Sequence, residues 1–223
     1  MISIILPIYQ RPHRFKQILS DLKKQTEQDF MLNVWNNSDV VLDLGHFPRE
    51  KVRIVRSPKN ISGGDRWKLI PLTHGDPIIS IDDDMSLEPD FLEYNLKMYK
   101  QYGENCLLGW YSKRWKKGET DYHKDTFSLC PAGMEVDYIG TGGMVGSRKF
   151  FDQKIVIENE IFYDQNQCED IFLSYLARKQ GMTLRSVAPK CKLIDDKVGS
   201  NYKYKHIKAR AFKMLVLSGW EFK

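Results

Sequence analysis

Nowhere does this 223-residue chain stay apolar for the roughly 20 residues that a membrane-spanning helix needs. Nothing at the N-terminus reads as a secretory signal, the first apolar run being only Ile2 to Ile8. No membrane anchor is expected, and a cytoplasmic location is the default. Cysteine is scarce: Cys106, Cys130, Cys168 and Cys191 lack paired metal-ligand spacing, so free thiols in a reducing compartment are expected. His13, His46, His74 and His123 form neither a triad nor a metal pattern. There is no Walker-type or dinucleotide glycine fingerprint, no internal repeat and no low-complexity tract. Neither sign of charge dominates. The net +5 is scattered, its densest stretch runs from Lys190 to Lys213, and no nucleic-acid reading motif accompanies it, so no nucleic-acid partner is expected.

What is present is a normal globular composition, 42% apolar and 28% charged, in a chain long enough to bury one sizeable core. Ile2 to Tyr9 reads as a buried strand, and Pro12 stands where a helix can begin. Phe15, Ile18, Leu19 and Leu22 follow at helical spacing. Phe30 to Trp35 and Val52 to Val55 read as strands ending in turn residues. A short helix is expected from Gly63 through Leu69, then a fully buried strand from Pro77 to Ile81. Leu87 to Tyr102 is predicted helical, with Phe91, Leu92, Leu96 and Tyr99 on one face. Strands alternating with helices imply an α/β fold with a largely parallel sheet covered on both faces. Beyond Cys106 a loop from Trp110 to His123 precedes a glycine-rich strand (Val136 to Val145), a helix (Glu169 to Gln180), a strand (Thr183 to Ala188) and a final helix (His206 to Ser218).

The strand Ile78 to Ile81 delivers Asp82, Asp83 and Asp84 to its carboxyl end, the edge at which open α/β sheets bind ligands. Three adjacent carboxylates repel, and a divalent ion such as Mg²⁺ or Mn²⁺ bridging a diphosphate would relieve them. The plainer alternative is an acidic turn capping the next helix. Glu169 and Asp170, following the small residues Gly140, Thr141, Gly142 and Gly143, are placed to orient an acceptor hydroxyl, or else simply to cap their helix. Positive charge for a diphosphate is available from Arg11, Arg66, Lys205 and Arg210. Asn36 and Asn37 either bond a nucleobase or form a turn. Trp110, Tyr111, Trp115 and Tyr122 either stack on sugars or belong to the core, Trp110 leaning to the core.

These segments resemble glycosyltransferases of the A-type (GT-A) fold, and among them the C-terminal catalytic domain of the exostosins. The likeness runs through Leu6 to Pro12, Val34 to Asn37, Asp82 to Asp84, Gly140 to Gly143 and Gln167 to Ile171. It implies a single-domain, Rossmann-like α/β/α sandwich, with residues 1–95 binding the nucleotide sugar and residues 96–223 binding the acceptor. It further implies a UDP-sugar donor and Mn²⁺ (or Mg²⁺) held by Asp84 with Asp82, while Asp82 and Asp83 lie near the ribose and sugar. Pro7, Tyr9, Arg11, Asn36, Asn60 and Arg66 would serve the donor. Asp170 with Glu169 would stand by the reacting sugar, and Arg210 would reach the diphosphate. The partners are then a nucleotide-sugar donor and a glycan acceptor. The exostosin likeness implies retention of anomeric configuration; a generic relative of the fold would invert it, with Asp170 or Glu169 as general base. A sugar nucleotidyltransferase and a sugar-binding protein without turnover are the other readings.

Overall fold

Every side chain of the strand Ile2–Ile8 (β1) is buried, which demands sheet neighbours on both edges and cover on both faces. The computed structural model, which describes residues 1–57, 63–157, 168–194 and 205–222, supplies all four. The strand Phe30–Asn36 (β2) lies parallel to β1, with Val52–Arg56 (β3) parallel to β2, and Ile78–Ser80 (β4) runs parallel along the other edge of β1. Period-2 alternation then sorts β1 between two cores. Ile2, Ile4, Leu6 and Ile8 meet Phe15, Ile18, Leu19 and Leu22 of the helix Phe15–Lys23 (α1). Ile5 faces the opposite core, with Trp67, Leu69 and Ile70 of a 3-10 helical stretch over Gly63–Leu72. Burial of a Leu, Ile or Phe is worth roughly 1.5–3 kcal/mol, so these two faces dominate the cohesion of the fold.

The helix expected from Leu87 begins later, at Phe91–Tyr102 (α2), because Met85–Leu87 forms a short strand (β5) and Pro89 ends the extended stretch. Cys106–Gly109 (β6) joins the main sheet, whereas Ser112–Arg114 (β7) and Phe127–Ser128 (β8) start a small antiparallel one. The glycine-rich segment is not one strand. Tyr138–Ile139 (β9) pairs with β7, and Met144–Gly146 (β10) pairs antiparallel with β4 and β6. Gly143 between them has φ +88°, a left-handed turn that no continuous strand accommodates.

Two single-turn helices follow, Arg148–Phe151 (α3) and Lys154–Ile157 (α4), and then the helix Glu169–Lys179 (α5). The chain continues into Thr183–Ser186 (β11), Cys191–Leu193 (β12, paired with β5) and the helix Lys205–Leu217 (α6). The main sheet has the order β11-β6-β10-β4-β1-β2-β3, and β10 is its one antiparallel member. With α1 and α2 on one face and α5 and α6 on the other, this is a single-domain α/β/α sandwich with a mostly parallel sheet. Among the described residues no helix is long and apolar enough to cross a membrane. All four cysteines are buried and unpaired.

Candidate active site

The carboxyl end of β4 is the site's floor. Its strand lies between β1 and β10, so the triplet that follows sits between the end of β1 and the 140–143 turn. The three aspartates meet different partners. Asp83 accepts from the Tyr9 amide at 3.2 Å and from Arg11 Nη1 at 3.1 Å. Asp82 Oδ1 accepts from Arg66 Nη1 at 2.6 Å, and its Oδ2 faces Gly142, where an added Cβ would stand only 2.6 Å away. Asp84 has Arg11 Nη2 at 3.9 Å, beyond hydrogen-bonding reach. Burial, then repulsion from Asp82, pushes the Asp84 carboxyl up to about 6, with Arg11 opposing and Asp83 adding a smaller repulsion. Asp83 is also raised by burial, although the Tyr9 amide and Arg11 oppose it.

A second acidic pair opens α5, where the positive helix end favours it. Both members are also held by cations from distant elements, which capping alone does not require. Glu169 Oε1 lies 3.7 Å from Arg66 Nη2, while its Oε2 is buried with no hydrogen-bond partner among the described residues. Burial raises the Glu169 carboxyl, with Arg66 opposing. Asp170 Oδ2 accepts from the Tyr138 hydroxyl and from Lys208 Nζ at 2.7 Å; its Oδ1 accepts from the Ile171 amide at 2.8 Å.

Arg66 joins the two acidic groups, since one guanidinium reaches Asp82 and Glu169 and also donates to Ser80 Oγ at 3.0 Å. It is only 5% exposed. Burial disfavours its charge, yet the carboxylates outweigh that and raise its pKa.

The other predicted site residues are placed as follows. Pro7 lies inside β1 opposite Trp35, and the Tyr9 ring is exposed just past the end of β1. Asn36 spends its side chain in its own turn: Nδ2 donates to the Val40 carbonyl at 2.9 Å, and Oδ1 accepts from the Ser38 amide and hydroxyl. Asn37 Oδ1 accepts from Trp35 Nε1 at 3.0 Å. Trp115 and Tyr122 are core residues, packed on Tyr138 and Phe212. Trp110, expected to lean to the core, is half-buried with its indole against Gly143. Asn60 and Gln167 lie outside the described residues, as does the side chain of Lys205. Arg210 is exposed on α6.

Sequence reasoning passed over Lys208 and Tyr138. Lys208 stands four residues before the buried Phe212, hence on the same helix face, whereas Arg210 is about 200° round from Lys208. That spacing was the available signal; for Tyr138 there was none.

Among the described residues, no three His, Cys, Asp or Glu side chains converge to cage a metal ion. Mg²⁺-like ions need no such cage, being held by one or two carboxylates together with phosphate oxygens. Asp84, whose ion-pair partner among the described residues is Arg11 at 3.9 Å, and Oδ2 of Asp82 would be the hard-oxygen ligands for such an ion.

A search of solved structures brings out S. aureus TarS, with a TM-score of 0.62 and 14% identity over 86% of this chain. The match takes in 36% of that chain, so this protein spans about a third of its length, and at such identity the likeness is one of fold. No curated protein matches in sequence. The model of Glycosyl transferase family 2 matches residues 3–159, a span that holds β1, the aspartate triplet and the glycine turn. The expectation of the A-type glycosyltransferase fold is met, while the narrower likeness to exostosins is not shown by these comparisons. Because that family model accounts for most of its length, the chain belongs to glycosyl transferase family 2, and its fold is of the A type.

Proposed function

We propose that the protein transfers a hexosyl group from a UDP-sugar to a glycan hydroxyl with inversion, Asp170 acting as general base. The observation that carries this reading is Arg66. By bridging Asp82 and Glu169 it ties the sheet-edge carboxylates to the start of α5, so Asp170 stands one residue from the carboxylate that Arg66 joins to Asp82. Asp84 and Asp82 would hold Mn²⁺ or Mg²⁺, whose chemistry there would be neutralisation of the charge on the departing UDP. Arg11 and the Tyr9 amide keep Asp83 turned back to β1, which leaves Asp84 as the carboxylate in need of a cation. Residues 96–223 would build the acceptor side.

In the transfer the acceptor oxygen bonds to the anomeric carbon while the bond from that carbon to the UDP oxygen breaks, and the acceptor proton passes to Asp170. Inversion is preferred to the retention implied by the exostosin likeness because Asp170 is held like a base: buried, charge-compensated and bonded at one oxygen by two fixed donors.

The test is UDP release from a panel of UDP-hexoses with oligosaccharide acceptors, alongside NMR assignment of the product anomer. Asp170→Asn should cut turnover by about 10²–10⁴-fold, the usual share of a general base, and leave Mn²⁺-dependent UDP binding intact in calorimetry. Retained configuration, or pyrophosphate as the product, would sink the proposal.

A further inference from the structure

The Asp170 carboxylate is 6% exposed, and an ionised group there costs several kcal/mol unless it is paired and hydrogen-bonded. Its two donors come from far along the chain, Tyr138 on β9 and Lys208 on α6, and both converge on Oδ2. Burial works against the Lys208 ammonium, but the Asp170 carboxylate 2.7 Å away and, more weakly, Glu169 outweigh it and raise its pKa, so it stays charged. Burial and the nearby Asp170 charge hold the Tyr138 phenol well above its ordinary value, so it stays a donor. With Oδ2 taken by two donors, the carboxylate cannot rotate freely. Oδ1 carries the Ile171 amide, and a carboxylate oxygen has two lone pairs, so one is left for an incoming hydroxyl.

We propose that Lys208, with Tyr138, is a positioning residue that holds Asp170 with Oδ1 toward the acceptor, so that α6, beyond the family match, completes the active site. This rests on Asp170 being the general base. Lys208 is not what seats the helix. Phe212 of α6 packs on Trp115 with ring centroids 4.5 Å apart and stacks with Phe222, and Trp220 meets Tyr175 of α5. A variant without the ammonium therefore keeps its main anchor.

The experiment measures steady-state UDP release from UDP-glucose, UDP-galactose and UDP-N-acetylglucosamine, with oligosaccharides or water as acceptor. The variants are Lys208→Met, Lys208→Arg and Tyr138→Phe, each alone and in the Asp170→Asn background, with melting temperatures taken on the same samples. Lys208→Met should lower kcat about ten- to a hundredfold, a part of the general-base contribution, with KM for the donor changed less than twofold. Lys208→Arg should recover part of that loss, and Tyr138→Phe should show a smaller one. In the Asp170→Asn background Lys208→Met should cost nothing further, because residues acting as a unit are non-additive. A Lys208→Met protein that loses melting temperature but keeps kcat makes Lys208 a tether and overturns the proposal. The same follows if its kcat loss persists in full without Asp170. Full turnover by Asp170→Asn alone, or no UDP release by the unmodified protein from any of these donors, overturns instead the reading of the site on which the proposal stands.

Discussion

Within the triplet, Asp84 has the poorest counter-charge among the described residues: Arg66 approaches Asp82 to 2.6 Å and Arg11 approaches Asp83 to 3.1 Å, but Arg11 stays 3.9 Å from Asp84. Burial first, then Asp82, raises its pKa from 3.8 to about 6. A folded-state pKa above the unfolded value means that the native state binds the proton more tightly. Stability from this group is therefore fullest below the unfolded pKa and is lost as pH rises through about 6. Asp84→Asn should accordingly stabilise the metal-free protein at pH 7.5 by on the order of 1 kcal/mol, or roughly 2–4 °C in melting temperature, with the gain gone at pH 4. Unchanged melting at pH 7.5 would contradict the raised pKa. The same protonation competes with a cation for Asp84, so Mn²⁺-dependent UDP binding should weaken several-fold between pH 7.5 and pH 5. Calorimetry at the two pH values checks this, and a flat profile would remove Asp84 from the proposed metal site.

The 140–143 turn does for its strands what the aspartates do for the edge. It ends β9, reverses the chain into the one antiparallel strand of the main sheet and lays Gly142 against Asp82. A methyl group at Gly142 meets Asp82 Oδ2 at 2.6 Å, so Gly142→Ala should push that carboxylate from its place. Metal-dependent UDP affinity should drop about tenfold, equivalent to ~1.4 kcal/mol. Gly118 is the comparison: its φ is +83° and a methyl group added there would meet nothing within 4 Å, so Gly118→Ala should cost about 1–2 kcal/mol of stability and leave binding alone. Equal affinity losses in the two variants would mean that the turn acts on the fold and not on Asp82.

For the molecule as a whole, the aromatic cluster beneath the second acidic pair joins the loop after β7 to the C-terminal helix. Trp115, Tyr122, Tyr138, Phe212, Trp220 and Phe222 pack as one group, with Phe212 fully buried in it. Phe212→Ala should cost about 3–5 kcal/mol, read as a shift of the urea midpoint at constant m-value. Because α6 also carries Lys208, turnover should fall further than the folded fraction alone explains. A loss under about 1 kcal/mol would show that the helix is anchored elsewhere.

The residues by themselves determined what depends on neighbours in sequence. Alternation and β-branching placed β1, β2 and β3 to within a residue or so, and the 3.6-residue spacing of Phe15, Ile18, Leu19 and Leu22 announced α1. The apolar run before Asp82 put the triplet at a sheet edge, and the helix after Cys168 started where its acidic pair implied. Only the tertiary structure decided which charges meet. It gave Asp82 to Arg66, Asp83 to Arg11 and Asp170 to Lys208, turned Arg210 outward, consumed Asn36 in its own turn and broke the glycine-rich strand in two. The reason is physical. A strand or helix is written in the period of adjacent side chains, whereas the Lys208 to Asp170 contact spans 38 residues and Arg11 to Asp83 spans 72. Such pairs exist only once the two cores have closed and removed the water that would otherwise have solvated each charge alone.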